Sequence, residues 1–101
     1  MREAAGILEV FGCVAAFVAA DAAAKAANVR IESIDKNKPD NADSLPVPLI
    51  TCLKIRGSVA DVEAAMEAGA AAAEALTGVI TKHIIPAPAE DTEKMLRISA
   101  I

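Results

Sequence analysis

The chain has 101 residues, a formal net charge of -4 and a pI of about 4.9; 54% of its residues are hydrophobic, although only 2% are aromatic. This length predicts one domain, spanning residues 1–101, with a single core. Because the balance is acidic and no basic patch with interleaved aromatic residues occurs, the composition argues against a nucleic-acid partner.

The amino terminus imitates a secretory signal peptide, because Arg2 precedes an apolar stretch that is rich in small residues. Glu3 and Glu9 interrupt this stretch, whereas the apolar region of a signal peptide is uninterrupted. The same charges, with Asp21 and Lys25, exclude a membrane-spanning helix, which needs about 20 apolar residues. We therefore expect a cytoplasmic protein that has no membrane partner.

The first two predicted elements are a strand at residues 3–10 and a helix at residues 13–28, separated by Gly12, which permits a turn. The helix is apolar on nearly every side, with larger side chains on one side and alanines on the other. Its only polar line consists of Asp21, Lys25 and Asn28. A helix that lacks a polar, solvent-facing side is expected to be buried on every side. Val14, Phe17 and Val18 form one side and the alanines the other, so we expect a neighbouring subunit to cover the second side.

The rest of the chain repeats the order strand, helix, strand. A second strand is predicted at residues 29–36, a polar loop at 37–46 and a third strand at 47–56. In this third strand Val47, Leu49, Thr51, Leu53 and Ile55 alternate with Ile50, Cys52, Lys54 and Arg56. After Ser58, a good N-cap, follow a second helix from Val59 to about Leu76, a last strand at residues 79–85 and a short helix starting at Glu90, in which Met95, Leu96 and Ile98 can dock.

This order predicts an α+β fold: a ferredoxin-like β-α-β-β-α-β four-stranded antiparallel sheet with two helices on one face and a short C-terminal helix. The opposite face and the strand edges remain available for a partner.

Few side chains are candidates for catalysis, and we expect neither a catalytic residue nor a cofactor. His83 lies inside the last strand with no acid or nucleophile placed beside it, so a partly buried structural histidine is the better interpretation. Cys13 begins a helix, whose dipole could lower its pKa, and Cys52 shares a strand face with Lys54 and Arg56, which could make it more reactive. The two cysteines match no metal or redox spacing, which favours a reduced cytoplasmic setting.

The loop at residues 35–43 carries enough carboxylates to suggest calcium. An EF-hand needs Gly and Glu where this chain has Asp40 and Pro46, so we expect no metal and a solvated loop in a single subunit. In a ring of subunits, however, copies of its charged side chains would surround one hole, which could select by charge and size. These side chains are Lys36, Lys38, Asp40 and Asp43.

Three long segments resemble the single-domain shell proteins of bacterial microcompartments: EAAGILEVFGCVAAFVAADAAAKAANV, RGSVADVEAAMEAGAAAAE and VITKHIIPAP. The resemblance covers nearly the whole chain and implies a structural, non-enzymatic protein. It further implies homohexameric tiles that pack edge to edge, with other shell proteins of the same compartment, around encapsulated enzymes in the cytoplasm. A central pore would pass small metabolites.

The resemblance also implies sites. Lys25 and Asn28 match the positions at the edge between hexamers, where a lysine meets its counterpart on the adjoining hexamer. From the residues alone, a solvated pair of Lys25 with Asp21 is an equally good interpretation. The pore loop corresponds to Lys36, Asn37, Lys38, Asp40, Asn41, Asp43 and Ser44.

Two departures from the family pattern affect these sites. Ala87 stands between the two prolines where the family usually has an arginine, which removes a hydrogen-bonding group from the edge. The pore loop is longer and more polar than the short, Gly-rich loop of typical members, so it would plug, narrow or gate the pore differently. In this extended loop the chain looks most like shell proteins of glycyl-radical-enzyme compartments.

Two other classes of protein remain as alternatives. A ferredoxin-like regulatory module that binds a small effector predicts trimers and a site built from basic loop residues. An acylphosphatase-like enzyme would require an Arg-bearing phosphate cradle, which the sequence does not show. The number of subunits separates the tile from the regulatory module.

Overall fold

A computed structural model describes residues 3–100 of the chain; Met1, Arg2 and Ile101, including the arginine of the signal-like segment, lie outside the described residues. The elements follow the predicted order, and the predicted fold class is confirmed. They are β1 (Ala4–Phe11), α1 (Cys13–Ala26), β2 (Arg30–Asn37), a 3-10 turn (Ala42–Ser44), β3 (Ile50–Gly57), α2 (Val59–Glu74), β4 (Val79–Ile85) and α3 (Glu90–Leu96).

The four strands form one antiparallel sheet in the order β2-β3-β1-β4, so that β2 and β4 are the two edges. The predicted alternation in β3 is confirmed: Leu53 and Ile55 belong to the core beneath α1 and α2. Lys54 and Arg56 lie on the other face, which we call the distal face. Both helices therefore pack on one side of the sheet.

The third strand begins at Ile50, three residues later than the predicted start at position 47. Pro48 has no N–H to donate to a strand ladder. The carbonyl of Leu49 instead accepts a hydrogen bond from the N–H of Gly12 at 2.8 Å. The segment before Ile50 thus closes the turn between β1 and α1, where Gly12 has a φ of 87°.

A β-bulge in β2 changes which side chains face the core. The register shifts between Ile31 and Ser33, so Glu32 is an extra residue in this strand. Both Glu32 and Ser33 then contact groups on the distal face. Ile34 returns to the core, paired with Leu53.

Helices α1 and α2 pack through small side chains. The buried side of α1 consists of Ala15, Ala16, Ala19, Ala20 and Ala23. A Cβ added at Gly69 of α2 would lie 3.1 Å from the carbonyl oxygen of Ala19, so the two backbones approach closely there. Such packing buries one side of α1 completely and leaves its opposite side outside the core.

The C-terminal helix lies on the distal face and covers part of the β2–β3 half. The predicted docking is correct for Leu96, which is buried, and wrong for Met95 and Ile98, which are 63% and 49% exposed. The distal face is therefore less available than expected, because polar contacts from β2 and β3 hold the tail over this half.

Candidate functional site

The outward side of α1 is an exposed apolar face made of Val14, Phe17 and Val18. These side chains are 73%, 52% and 40% exposed, so each retains a large contact with water in the single chain. Three apolar side chains grouped on one helix side mark an interaction surface more often than an isolated exposed side chain does. The predicted two-sided helix is thus present, with its alanine side buried and its second side uncovered.

The polar line of the same helix, Asp21, Lys25 and Asn28, continues this face toward the C-terminal end of α1. Lys25 Nζ lies 2.7 Å from Asp21 Oδ2, and both side chains are exposed. The hydrogen bond to Asp21 raises the pKa of Lys25, so the ammonium is retained. Asn28 is exposed beyond the helix end, and its carbonyl oxygen lies close to Gly57, where β3 ends. In the single chain Lys25 thus forms an exposed ion pair with Asp21, which is one of the two interpretations of Lys25 given above.

The loop between β2 and β3 is a folded segment. Its 3-10 turn is closed by hydrogen bonds from the N–H of Ala42 to the Pro39 carbonyl at 3.0 Å and from the N–H of Ser44 to the Asn41 carbonyl at 2.9 Å. Ser44 Oγ donates a further bond to the Asn41 carbonyl. Ala42 is buried and anchors the turn. All seven predicted pore-loop side chains are exposed: Lys36, Asn37, Lys38, Asp40, Asn41, Asp43 and Ser44.

A small pocket of about 220 Å³ lies on the distal face at the base of this loop. In the sheet register, Cys52 is flanked by Glu9 on one neighbouring strand and by Asp35 on the other. Burial raises the pKa of the Cys52 thiol; Glu9 and Asp35 raise it further, while Lys54 opposes them. The expectation that Lys54 and Arg56 make Cys52 more reactive is wrong, because burial outweighs the nearby positive charge.

Lys54 and Arg56 of β3 are both buried, which the sequence did not indicate. Arg56, which is 2% exposed, donates to both carboxylate oxygens of Glu93 at 2.7 Å. It also donates to the carbonyls of Ala4 and Glu3 at 3.2 and 3.0 Å. This pairing with Glu93 raises the pKa of Arg56. The alternation of β3 correctly placed Arg56 on the distal face, but nothing local indicated that a carboxylate from the tail would cover it.

His83 is exposed on the edge strand β4, so its expected partial burial is wrong. An edge strand lacks a second neighbouring strand, so its outer side stays open to water. A groove of about 500 Å³ beside it, between α2 and β4, is lined by Glu63, Met66, Glu67, Lys82, His83 and Ile84. The groove is open rather than enclosed, and it offers no arrangement in which a base is oriented toward a nucleophile.

Among residues 3–100, no three His, Cys, Asp or Glu side chains come together in a way that could hold a metal ion. Every helix in that range is too short or too polar to cross a bilayer.

Comparison with known proteins decides between the remaining classes. Residues 4–88 match the BMC domain. The chain belongs to the BMC-domain family. It is 41% identical over 95 residues to the bacterial microcompartment shell protein PduA of Citrobacter freundii, which covers 94% of this chain and 92% of PduA. It is 38% identical over 101 residues to the carboxysome shell protein CcmK3 of Halothece, which covers 98% of this chain and 90% of CcmK3.

Two further relatives agree with this assignment. The chain is 37% identical over 97 residues to the shell protein EutM of Salmonella typhimurium, covering 96% of this chain and 92% of EutM. A solved microcompartment protein of Desulfitobacterium hafniense has a TM-score of 0.72 at 26% identity, over the whole of this chain and half of that one. The BMC-domain chain is thus a structural shell protein of a cytoplasmic bacterial microcompartment. The resemblance to the glycyl-radical-enzyme subtype is not confirmed and stays a prediction.

Proposed function

We propose that this BMC-domain protein forms a homohexameric tile with a central pore, and that the tiles build the shell around encapsulated enzymes. The observation that carries the proposal is the exposed apolar face of α1. Burying three such side chains against a neighbour removes apolar surface from water, which contributes roughly 25 cal/mol per Å². Membership of the BMC-domain family, whose relatives named above are shell proteins, supports the tile over the trimeric regulatory module.

A closed ring follows from a contact between two different surfaces of the chain, repeated around a six-fold axis. The chain has two dissimilar flanks, one formed by α1 with the edge strand β2 and the other by α2 with the edge strand β4. A stable contact of this kind is expected to bury on the order of 1,600 Å² in total. The tile is a structural component, and we propose no catalytic step for it.

We assign the pore to the loop between β2 and β3. Six copies would bring Lys36 and Lys38 near Asp40 and Asp43, so that both signs of charge surround one opening. The hydrogen-bonded turn at Ala42 supports a loop that keeps a fixed shape, which would narrow the opening for small polar metabolites. Asn37, Asn41 and Ser44 would add uncharged donors and acceptors.

We assign the contacts between hexamers to Lys25 and Asn28 at the outer end of α1. Both are exposed, and Lys25 keeps its positive charge beside Asp21. The lysine would donate to carbonyl groups of the adjoining tile. Ala87, also exposed, would leave this edge without the arginine donor that the family usually has there.

The experiment that tests the ring is the mass of Phe17→Glu in solution. A charge on the apolar face should prevent the subunit contact, because a buried, unpaired carboxylate is costly. We expect the wild type to have six times the 10.3 kDa chain mass by light scattering. The variant should be a folded monomer, as judged by circular dichroism.

The matched control is Met95→Glu, which places the same charge on an exposed apolar position of α3. We expect this variant to keep the hexameric mass. A hexameric Phe17→Glu protein, or loss of the hexamer in both variants, would contradict the assignment of the subunit contact to α1.

A further inference from the structure

The tail after the last strand lies outside the sheet and outside the apolar core beneath α1 and α2. The BMC-domain match ends at residue 88, and α3 begins two residues later at Glu90. Two prolines, Pro86 and Pro88, occupy the connection, and Pro88 is fully buried. The chain therefore enters the tail through a short, stiff joint that is anchored at Pro88.

Polar groups of β2 and β3 fasten the tail to the distal face. The Arg56–Glu93 pair, with two bonds of 2.7 Å, holds the middle of α3. Lys54 Nζ donates to the Ile98 carbonyl at 2.8 Å, and Ser33 Oγ donates to the Leu96 carbonyl at 2.7 Å. Both bonds satisfy carbonyls near the helix end that have no partner within the helix.

The last residues continue these contacts along β2. The N–H of Ala100 donates to the Ile34 carbonyl at 3.1 Å, and Ser99 Oγ donates to the same carbonyl at 3.0 Å. By contrast, apolar anchoring within the tail is sparse. Leu96 is the buried apolar side chain of α3, while Met95 and Ile98 remain outside.

The tail is thus held mainly by polar bonds, whereas α1 and α2 are held by a continuous apolar core. A segment with few buried apolar contacts opens at a lower free energy than the core. A buried charge that loses its partner is strongly unfavourable unless the group reaches water. Without the Glu93 charge, Arg56 keeps a longer contact to Glu32 at 3.4 Å and its bonds to the Ala4 and Glu3 carbonyls. Removal of the Glu93 charge should therefore make the tail easier to open, because opening hydrates Arg56.

We infer that residues 90–100 form a releasable strap, latched by the Arg56–Glu93 pair, that opens from the distal face while the sheet and α1–α2 layer stay folded. Release uncovers Lys54 and Arg56 together and so places two positive charges on a face that the closed strap keeps covered. The inference does not rest on the proposed ring, since the contacts it uses join groups of the same chain.

Native-state hydrogen exchange of the full-length protein tests this inference, with Glu93→Gln as the latch variant. The reporting amides are those of Glu93, Arg97, Ile98 and Ala100. We expect their exchange to become about tenfold faster or more in the variant, the range expected from losing a charge-assisted hydrogen bond. Core amides of β1 and β3 should keep their protection relative to the wild type.

The matched control is Lys94→Gln, which removes the neighbouring charge on α3. Within residues 3–100 the Lys94 ammonium pairs with the exposed Asp91, at 3.5 Å, so loss of its charge should leave tail exchange unchanged. A second readout is amine labelling of Lys54 by an acylating reagent: its rate should rise in Glu93→Gln and stay at the wild-type value in Lys94→Gln.

Three results would overturn the strap. The tail amides could exchange at the same rate in the latch variant and the control. They could also exchange only together with the core, or Lys54 could stay unlabelled in Glu93→Gln. If Glu93→Gln fails to fold, Ser33→Ala takes its place, and its tail amides should then exchange about threefold to tenfold faster, as expected for a neutral bond.

Discussion

At the scale of single residues, Cys52 gives the clearest test of the local electrostatics. Its thiol lies half-buried between the carboxylates of Glu9 and Asp35, and burial raises its pKa. Because the thiolate is the reactive form, alkylation at pH 8 should be slower than for an unhindered thiol. The rate should rise with pH to a midpoint above the ordinary thiol value.

Alkylation of Cys52 by iodoacetamide, followed by mass spectrometry, measures this in a Cys13→Ser background. Asp35→Asn is the informative companion variant, because it removes one negative charge and should lower the midpoint. A midpoint at or below that of a model thiol would contradict the account of this site.

Lys25 supplies a second test on one residue. We predict that Lys25→Ala keeps the ring mass but loses the extended sheets that assembled tiles form in electron micrographs. Its thermal midpoint should stay unchanged, because the Lys25–Asp21 pair is exposed and such pairs contribute little to stability. Lys94→Ala removes the comparable exposed pair with Asp91 and should leave sheets intact. Equal sheet formation by both variants would refute the edge assignment.

Among the helices and strands, the close crossing of α1 and α2 depends on a single missing side chain. Gly69→Ala should lower the free energy of unfolding by about 1 kcal/mol, since overpacking against the Ala19 carbonyl outweighs the gain in helix propensity. The exposed Ala71→Gly change measures propensity alone and should also cost about 1 kcal/mol. Urea denaturation checks both, and a stabilised Gly69→Ala protein would show that the helices can separate without cost.

The sequence predicted these elements well where a periodic pattern of side chains sets them. The apolar run of α1 and the alternation of β3 depend on helix and strand geometry, which acts over a few residues. The start of β3 and the docking of α3 depend on distant partners: Leu49 pairs with Gly12, and Arg56 pairs with Glu93. Such contacts join positions far apart in the chain, so no local pattern of residues predicts them.

For the whole molecule, features set by local side-chain patterns could be predicted, whereas features set by contacts between distant residues could not. The polar loop between β2 and β3 could be located from its charges and prolines, whereas its closed turn with a buried Ala42 could not, because that turn depends on backbone hydrogen bonds. The exposed face of α1 could be predicted because a helix that is apolar on two sides exceeds the interior that a chain of 101 residues provides.

Ala87 gives a test of the proposed contacts between tiles. Ala87→Arg should promote tile association, since an exposed guanidinium between the two prolines adds donors for carbonyls of an adjoining tile. Turbidity and electron microscopy of the variant against wild type at equal concentration measure the effect. Ala89→Arg, which adds the same charge two residues later, is the control, and equal association of the two variants would remove the special role of position 87.

Sedimentation equilibrium of the unmodified protein is the decisive test of the proposed ring. If a neighbouring subunit covers the exposed Val14, Phe17 and Val18, the protein should be a single species at six times the chain mass of 10.3 kDa. A well-folded, monodisperse monomer at micromolar concentration, with the amides of α1 as protected as those of α2, would contradict it.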